Sequence, residues 1–204
     1  MLAAYRRDDT STVATMLLDT VSRNRSFWWD RARCAHDDAP KLEAVIFDFD
    51  APLAATERDA QVFRELIWSL HCGDIRVGVT AGGPRDRVEP LVRELIGDGV
   101  VEVLITADDV VRPKPDPEVY HRALFELGVG PEAAMAVEHS PAGFHTACSA
   151  GLATMVVTTL GIRNRDFAGA AAVLDRYDSD QPLSAALCRR LHEQWWINRS
   201  RLSA

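Results

Sequence analysis

The chain has 204 residues, 47% of them hydrophobic, and a formal net charge of -7 at pH 7. This length suits one domain with a modest appendage, and the hydrophobic content is ordinary for a globular protein with a buried core. The negative charge excludes a general electrostatic grip on nucleic acid or on an anionic membrane, although one lysine and backbone amides can still hold a phosphate group. No apolar stretch reaches the roughly 18 residues of a membrane span, and the acidic N-terminus is unlike a targeting peptide, so we expect a cytoplasmic protein.

Residues 1–40 differ in composition from the rest and form the first predicted domain, a helical N-terminal arm. The segment TSTVATMLLDTV has helical spacing of its apolar residues, and Pro40 ends the arm. Adjacent tryptophans occur at 28–29 in the arm and at 195–196 in the predicted terminal helix. We expect the arm and the terminal helix to pack together through these side chains, with a homodimer interface as the alternative.

Residues 41–204 have the pattern of an α/β core with a C-terminal helix. The run AVIFDF is typical of a strand that is buried on both faces. Short apolar runs then alternate with segments of helical periodicity, which predicts βαβ units and a parallel five-stranded sheet flanked by helices, as in Rossmann-like folds. After AVIFDF, the predicted strands are IRVGVT, VVEVLIT, AAMAVE and ATMVVTT, and the helices are ERDAQVFRELIWSLHC, PRDRVEPLVRELIGDG, DPEVYHRALFELGV, PAGFHTACSAG and LSAALCRRLHEQWWINR.

Residues with reactive or phosphate-binding side chains follow four of the predicted strands. Ligands of open α/β sheets bind beyond the carboxyl ends of the strands, so we expect these residues to converge at one edge of the sheet. Asp48 and Asp50 follow the first strand, Thr80 and Ala81 the second, Lys114 lies in the loop after the third, and Glu138 and His139 follow the fourth.

Such a cluster suits phosphoryl transfer. A carboxylate such as Asp48 can attack phosphorus and form an aspartyl-phosphate. The transition state is strongly anionic, so the site needs positive charge and positioning, which Lys114, Thr80 and nearby backbone amides could supply. Mg²⁺ would neutralise carboxylates crowded around the phosphate. Asp50, two residues after Asp48, would point to the same side and could exchange a proton with the leaving or attacking oxygen.

These residues stand in four motifs that resemble those of the haloacid dehalogenase-like hydrolase superfamily, in its β-phosphoglucomutase-like and phosphoglycolate phosphatase-like branch. DFDAPL resembles D-x-D-G-[TV]-L, and VTAGG supplies the Ser or Thr after the second strand. RPKPDPEVY resembles the lysine motif K-P-x-P-x-x-[YF], and VEHSPAGFHTACSAGL resembles E-D-S-x-x-G with its small-residue helix. The resemblance covers about residues 42–160, with one motif at each strand end.

The resemblance implies a metal-dependent phosphatase that acts on a small phosphorylated substrate. It implies that Asp48 is the nucleophile and a metal ligand, and that Asp50 is the general acid/base with its carbonyl oxygen on the metal. The phosphoryl group would be bound by Thr80, by Lys114 and by the backbone at Ala81. Glu138 would complete the metal site, for which Mg²⁺ is the implied ion and Mn²⁺ the alternative.

Three departures from the family pattern concern the turn, the metal site and the cap. Ala51 and Pro52 stand where the family has a permissive glycine and its neighbour. His139 stands at the usual aspartate ligand, and imidazole is a poor ligand for Mg²⁺. Either Glu138 serves instead, or metal affinity falls, or Mn²⁺ is preferred. The first two motifs are only about 30 residues apart, so we predict an open site without an inserted cap domain.

The departures leave a second interpretation, a catalytically degenerate relative that binds a phosphorylated ligand or a protein partner without turnover. A phosphomutase is disfavoured because it needs a closed site that keeps water off the phosphoenzyme. A receiver domain of two-component signalling also combines acids, a hydroxyl and a lysine, but its lysine comes last, whereas Lys114 precedes Glu138.

The cysteines and the other histidines indicate no further chemistry. None of the four cysteines forms a C-x-x-C pair, so neither a zinc ribbon nor a redox motif is indicated. The histidines other than His139 are expected at the surface or on helix flanks, and His192 in the terminal helix is one of them.

Overall fold

The structure is a computed structural model that describes residues 39–49, 56–158, 164–177 and 183–202. Three predictions fall outside the described residues: the helical arm with its tryptophan pair, the role of Asp50, and the turn at Ala51 and Pro52. The two-domain division at residue 40 and a homodimer therefore stay predictions.

A six-stranded parallel sheet forms the centre of the unit that spans residues 40–204. The strands are β1 (Ala44–Asp48), β2 (Arg76–Thr80), β3 (Val101–Ile105), β4 (Ala134–Glu138), β5 (Ala153–Val157) and β6 (Ala172–Leu174). Their order across the sheet is β3-β2-β1-β4-β5-β6. All five predicted strands are present, which confirms the α/β Rossmann-like fold class, and the structure adds a sixth strand.

The additional strand β6 carries little of the signal that predicted the others. It has three residues, all of them half-buried, and among the described strands it pairs only with β5. Backbone hydrogen bonds hold both of its ends, from Ala171 N to Thr154 O at 2.8 Å and from Thr158 N to Leu174 O at 2.7 Å. A half-buried edge strand needs no long apolar run, so the sequence AGAAAVL did not predict it.

Five helices cover the two faces of the sheet: α1 (Glu57–Cys72), α2 (Arg85–Ile96), α3 (Glu118–Leu127), α4 (Pro141–Ser149) and α5 (Ala185–Leu202). Short 3₁₀ turns lie at Ala107–Asp109, Pro131–Ala133 and Asn164–Phe167. A capping box starts α1, because Thr56 Oγ1 accepts from Asp59 N at 3.1 Å and the Asp59 carboxylate accepts from Thr56 N at 3.0 Å.

Strand β1 is buried along its whole length because helices pack on both of its faces. On one face, Val45 and Phe47 join a core with α1 and α5, and the rings of Phe47 and Phe63 meet edge to face with centroids 5.3 Å apart. On the other face, Ala44 and Ile46 join a core with α3 and α4. This double covering fixes the end of β1 firmly, which matters because that end carries Asp48.

No helical cap domain fits between β1 and β2. The described residues between the two strands form α1 and its flanking turns, and the six residues 50–55 are too few for a helical domain.

Across the part of the chain that the structure describes, no helix is both long and apolar enough to span a bilayer.

The expectation for His192 is wrong. Its side chain is 1% exposed, on the face of α5 that packs toward the core, and its Nε2 accepts a hydrogen bond from Trp196 Nε1 at 3.1 Å. Trp195 Nε1 donates to Gly169 O at 2.8 Å. A buried histidine is tolerated when one of its ring nitrogens accepts a hydrogen bond, as Nε2 does here. Both tryptophans are half-buried against their own domain.

Burial lowers the pKa of His192, so wild-type stability should depend on pH through this residue. The unfolded chain takes up a proton near the ordinary histidine pKa of about 6.5, whereas the folded chain resists it, so stability is lost as the pH falls below that value. Relative to His192→Gln, whose Oε1 can still accept from Trp196, the wild type should lose free energy of unfolding between pH 7.5 and pH 5.5. Urea unfolding at both pH values measures this. Exposed His145→Gln is the control, and a pH-independent difference for His192→Gln contradicts the prediction.

Candidate active site

The ends of three strands and one loop meet at a single edge of the sheet. Asp48 is the last residue of β1 and lies opposite Thr80, the last residue of β2. Glu138 ends β4, the neighbour of β1 on its other side, and His139 follows it. The loop before α3 brings Lys114 to the same edge, where its ammonium donates to Asp48 Oδ1. The structure therefore brings these five predicted residues together.

Asp48 lies at the centre of the cluster. Its side chain is 1% exposed, whereas those of Lys114 and His139 are 16% and 18% exposed. Lys114 and His139 therefore lie between Asp48 and the solvent. Lys114 contacts Asp48 Oδ1, and His139 Nδ1 lies 3.1 Å from Asp48 Oδ2. The buried carboxylate thus has a cationic or polar group on each oxygen.

The surroundings of Asp48 keep it ionised. Burial alone would raise its pKa, but the contacts with His139 and Lys114 outweigh burial and hold the pKa below its ordinary value. The pKa of His139 moves in the opposite direction. Burial would lower it, but the carboxylates of Asp48 and Glu138 raise it overall. An ionised carboxylate is the state that a nucleophile requires.

The pKa of Glu138 is shifted in the opposite direction to that of Asp48. Burial, with the charge of Asp48 nearby, raises the pKa of Glu138 to about 8. Its Oε1 accepts a hydrogen bond from the hydroxyl of Tyr120, a fully buried residue of α3. The Lys114 ammonium lies 5.8 Å from the centroid of the Tyr120 ring. Two close, buried carboxylates repel each other, and a bound cation would relieve that repulsion.

The Glu138 carboxylate lies against the first turn of α4. Ser140 caps this helix, since its Oγ accepts from Gly143 N at 3.0 Å. A Cβ atom added to Gly143 would lie 2.0 Å from Glu138 Oε2, closer than any real contact. Glycine at this position therefore leaves the space that the carboxylate occupies.

Gly143→Ala should displace the Glu138 carboxylate, because the new methyl group and the carboxylate cannot share one volume. We expect a loss of about 1–3 kcal/mol in the free energy of unfolding, as is typical of overpacking, and weaker binding of divalent metal. Urea unfolding and metal titration measure the two effects. The control is Ala142→Gly, which changes the neighbouring residue, an exposed one, in the same turn of α4. Unchanged metal affinity in Gly143→Ala would show that metal binding does not depend on the position of the Glu138 carboxylate against α4.

Thr80 and Ala81 differ in what they offer a ligand. Thr80 is fully buried, and its Oγ1 has no hydrogen-bond partner among the described residues. Buried hydroxyls nearly always have a partner, so this one is suited to a ligand oxygen. Ala81 N, in contrast, donates to Ile105 O at 2.9 Å. A phosphate contact at the Ala81 amide is therefore a prediction without an observed free donor.

Two of the predicted metal ligands, Asp48 and Glu138, lie close enough to His139 for the three residues to share one ion. Ligand atoms of Asp48, Glu138 and His139 all lie within 4.8 Å of one another. Two carboxylates and one imidazole fit a divalent cation. The third predicted ligand, Asp50, falls outside the described residues.

Two residues of this site were not predicted as functional, Tyr120 and Gly143. Both stand in the quoted motifs, Tyr120 at the end of RPKPDPEVY and Gly143 in HSPAG. A signal for Tyr120 was available, because a tyrosine in an apolar helix stripe needs a partner for its hydroxyl. The contact between Gly143 and Glu138 had no such signal, since it depends on how α4 packs beside β4.

Comparison with known proteins extends these observations. Residues 60–157 match the sequence model of the family described as haloacid dehalogenase-like hydrolase. The validoxylamine A 7'-phosphate phosphatase of Streptomyces hygroscopicus subsp. limoneus is 41% identical over 110 residues, which are 54% of this chain and 50% of that protein. Protein CbbY of Cereibacter sphaeroides is 35% identical over 116 residues, 55% of this chain and 50% of that protein. The chain spans about half the length of the curated relatives that it matches.

Solved structures share the fold. The crystal structure of CbbY from Rhodobacter sphaeroides in complex with phosphate has a TM-score of 0.56 at 23% identity, and the alignment covers 70% of this chain and 97% of that one. A β-phosphoglucomutase from Clostridium difficile has a TM-score of 0.54 at 15% identity, covering 68% of this chain and 64% of that one. With the sheet order and the four strand-end motifs, these matches make the α/β core of this chain similar to the haloacid dehalogenase-like hydrolase family, and among its members to CbbY and the validoxylamine A 7'-phosphate phosphatase.

Proposed function

We propose that the protein is a metal-dependent phosphatase that hydrolyses a phosphoric monoester through an aspartyl-phosphate on Asp48. The observation that carries this proposal is the state of Asp48. Its carboxylate is buried and ionised, it ends the central strand, and Lys114 and His139 contact its two oxygens. A nucleophile held in this way beside a cation is suited to an anionic phosphoryl group.

In the proposed reaction, Asp48 attacks phosphorus and expels the alcohol. Lys114 compensates the charge that spreads over the phosphoryl oxygens, and the unpartnered hydroxyl of Thr80 donates to one of them. Asp50 is proposed as the acid that protonates the leaving oxygen and as the base that activates water in the second step. That assignment rests on its place in the first motif.

A divalent cation would be held by Asp48 and Glu138, together with His139 or Asp50. Bound there, the cation supplies charge compensation for the phosphoryl oxygens and for the crowded carboxylates. The proposed ions are Mg²⁺ and Mn²⁺.

The substrate is proposed to be a small phosphorylated molecule. Among the relatives, one is named as a phosphatase of validoxylamine A 7'-phosphate, and a mutant CbbY was crystallised with xylulose-(1,5)bisphosphate. No cap domain is inserted between β1 and β2, so no helical domain at that position restricts the size of a substrate that enters beside Lys114 and His139.

Hydrolysis of an aryl phosphate tests the proposal. The protein should release the phenol in the presence of Mg²⁺ or Mn²⁺ and should stop when a chelator removes the metal. The phosphoenzyme, captured by rapid acid quench, should carry its added mass on the peptide that contains Asp48. Turnover that persists with excess chelator, or a phosphate trapped on another residue, would contradict the mechanism.

One observation favours a second candidate function. His139 occupies the place of the family's aspartate and contacts Asp48, so the site could bind a phosphorylated ligand or protein partner without turnover. A wild-type protein that binds phosphate but hydrolyses nothing under any of the metals, combined with activity gained in His139→Asp, would favour this candidate over the phosphatase.

A further inference from the structure

The Nδ1 atom of His139 has no hydrogen-bond partner among the described residues, although the carboxylate of Asp48 lies beside it at ion-pair distance. This Nδ1 is buried and lies 3.1 Å from Asp48 Oδ2, but the two atoms do not have hydrogen-bond geometry. Thr80 Oγ1, on the neighbouring strand, is likewise buried and unpartnered among the described residues. Polar atoms left in this state are uncommon in folded proteins and point to a missing ligand.

We infer that the site selects a divalent transition metal such as Mn²⁺ or Co²⁺ over Mg²⁺, with Nδ1 of His139 as a ligand beside the carboxylates of Asp48 and Glu138. The inference deepens the proposed function, since it names the class of ion at the same site. It needs no turnover to be tested, because metal binding can be measured without substrate.

The distance between the donor atoms agrees with shared coordination. Two ligand atoms that each lie about 2.1 Å from one ion, at a right angle, are about 3.0 Å apart. His139 Nδ1 and Asp48 Oδ2 are separated by 3.1 Å, and one ligand atom from each of Asp48, Glu138 and His139 lies within 4.8 Å of the other two. His139 can thus join the site without a large movement of its ring.

The chemistry of the donors sets the selectivity. Mg²⁺ prefers oxygen ligands and strict octahedral geometry, whereas Mn²⁺ and Co²⁺ accept imidazole nitrogen. Replacing an oxygen donor by nitrogen therefore costs Mg²⁺ affinity and favours the transition metals. The same reasoning predicts that His139→Asp restores an all-oxygen set and returns affinity to Mg²⁺.

Two measurements on the full chain test the inference. Calorimetric titration of the metal-free protein with Mg²⁺, Mn²⁺ and Co²⁺ gives the affinities, and the ratio of Co²⁺ to Mg²⁺ affinity should fall at least about tenfold in His139→Asp. Pulsed electron paramagnetic resonance of the Mn²⁺-loaded wild type should show coupling to a nitrogen nucleus. That coupling should disappear in His139→Asp and in His139→Asn, which also lacks the imidazole and serves if the aspartate variant fails to fold.

His145→Asp is the matched control, because His145 is an exposed histidine of α4 outside the metal cluster, and it should keep both the affinity ratio and the nitrogen coupling. Absence of nitrogen coupling in the wild type, an unchanged ratio in His139→Asp, or failure to bind Mn²⁺ and Co²⁺ would each overturn the inference. A protein that binds Mn²⁺ through nitrogen and hydrolyses nothing would uphold it while overturning the proposed function. Turnover with Mg²⁺, combined with no nitrogen coupling in the Mn²⁺-loaded protein, would support the proposed function and overturn the inference about the metal.

Discussion

Asp48→Asn should reduce kcat for an aryl phosphate by at least about 10³-fold, since removing a covalent nucleophile removes the reaction path itself. The amide has nearly the shape of the carboxylate, so it fits the same buried volume at the end of β1. It cannot attack phosphorus, however, and it leaves Lys114 without its anionic partner at that position. Steady-state kinetics is measured with saturating Mg²⁺ and with saturating Mn²⁺. A low kcat at saturating metal then reflects loss of the nucleophile and not weaker metal binding.

The matched control for this variant is Asp98→Asn, which makes the same chemical change on a side chain that is 89% exposed and outside the site. It should keep wild-type kinetics. Circular dichroism and thermal unfolding of both variants show whether the sheet is intact. Residual activity of Asp48→Asn within tenfold of the wild type, in a folded protein, would exclude Asp48 as the nucleophile.

Lys114→Met should lower kcat by about 10²–10³-fold, the usual effect of losing one electrostatic stabiliser of an anionic transition state. Methionine keeps most of the length and volume of the side chain, so the change removes chiefly the charge. Stability should fall as well. Removing one partner of a buried ion pair lowers the free energy of unfolding by about 3–5 kcal/mol. We expect the lower value, about 3 kcal/mol, because His139 still contacts Asp48 in the variant. Without the ammonium, the pKa of Asp48 should rise.

Lys41 offers a close control, because it is the other lysine of the chain and is exposed. Lys41→Met should change neither kcat nor the free energy of unfolding by a measurable amount. Lys114→Arg adds a second comparison, in which the charge stays but its shape changes, so an intermediate kcat is expected. Wild-type turnover by Lys114→Met would mean that the ammonium does not act on the phosphoryl group.

The fold was predictable where burial left a clear periodic signal. Strand β1 is a continuous apolar run because helices cover both of its faces, and the helix predicted as ERDAQVFRELIWSLHC has the observed bounds of α1. The half-buried edge strand β6 lacks that signal. His192 was placed wrongly because sequence spacing shows which residues share a helix face, but not which face a neighbouring element covers.

The candidate site was predictable in position but not in its contacts. Parallel strands align their carboxyl ends, so residues such as Asp48 and Glu138 had to meet at one edge once the strands were recognised. The hydroxyl of Tyr120 on Glu138 and the ring of His139 beside Asp48 depend on side-chain directions set by tertiary packing. The raised pKa of Glu138 follows from that packing as well, and composition or spacing contains no information on it.

The central position of β1 also bears on biosynthesis. A ribosome makes β1 first, but its neighbour β4 ends at Glu138, 90 positions after Asp48 (138 − 48). Until β4 emerges, β1 has one unpaired edge, which is open to wrong pairing with other chains. A nascent chain that stops before β4 already contains Asp48 and Lys114, but it has neither Glu138 nor His139. Such an incomplete chain has to avoid aggregation until β4 is made and the residues of the candidate active site can come together.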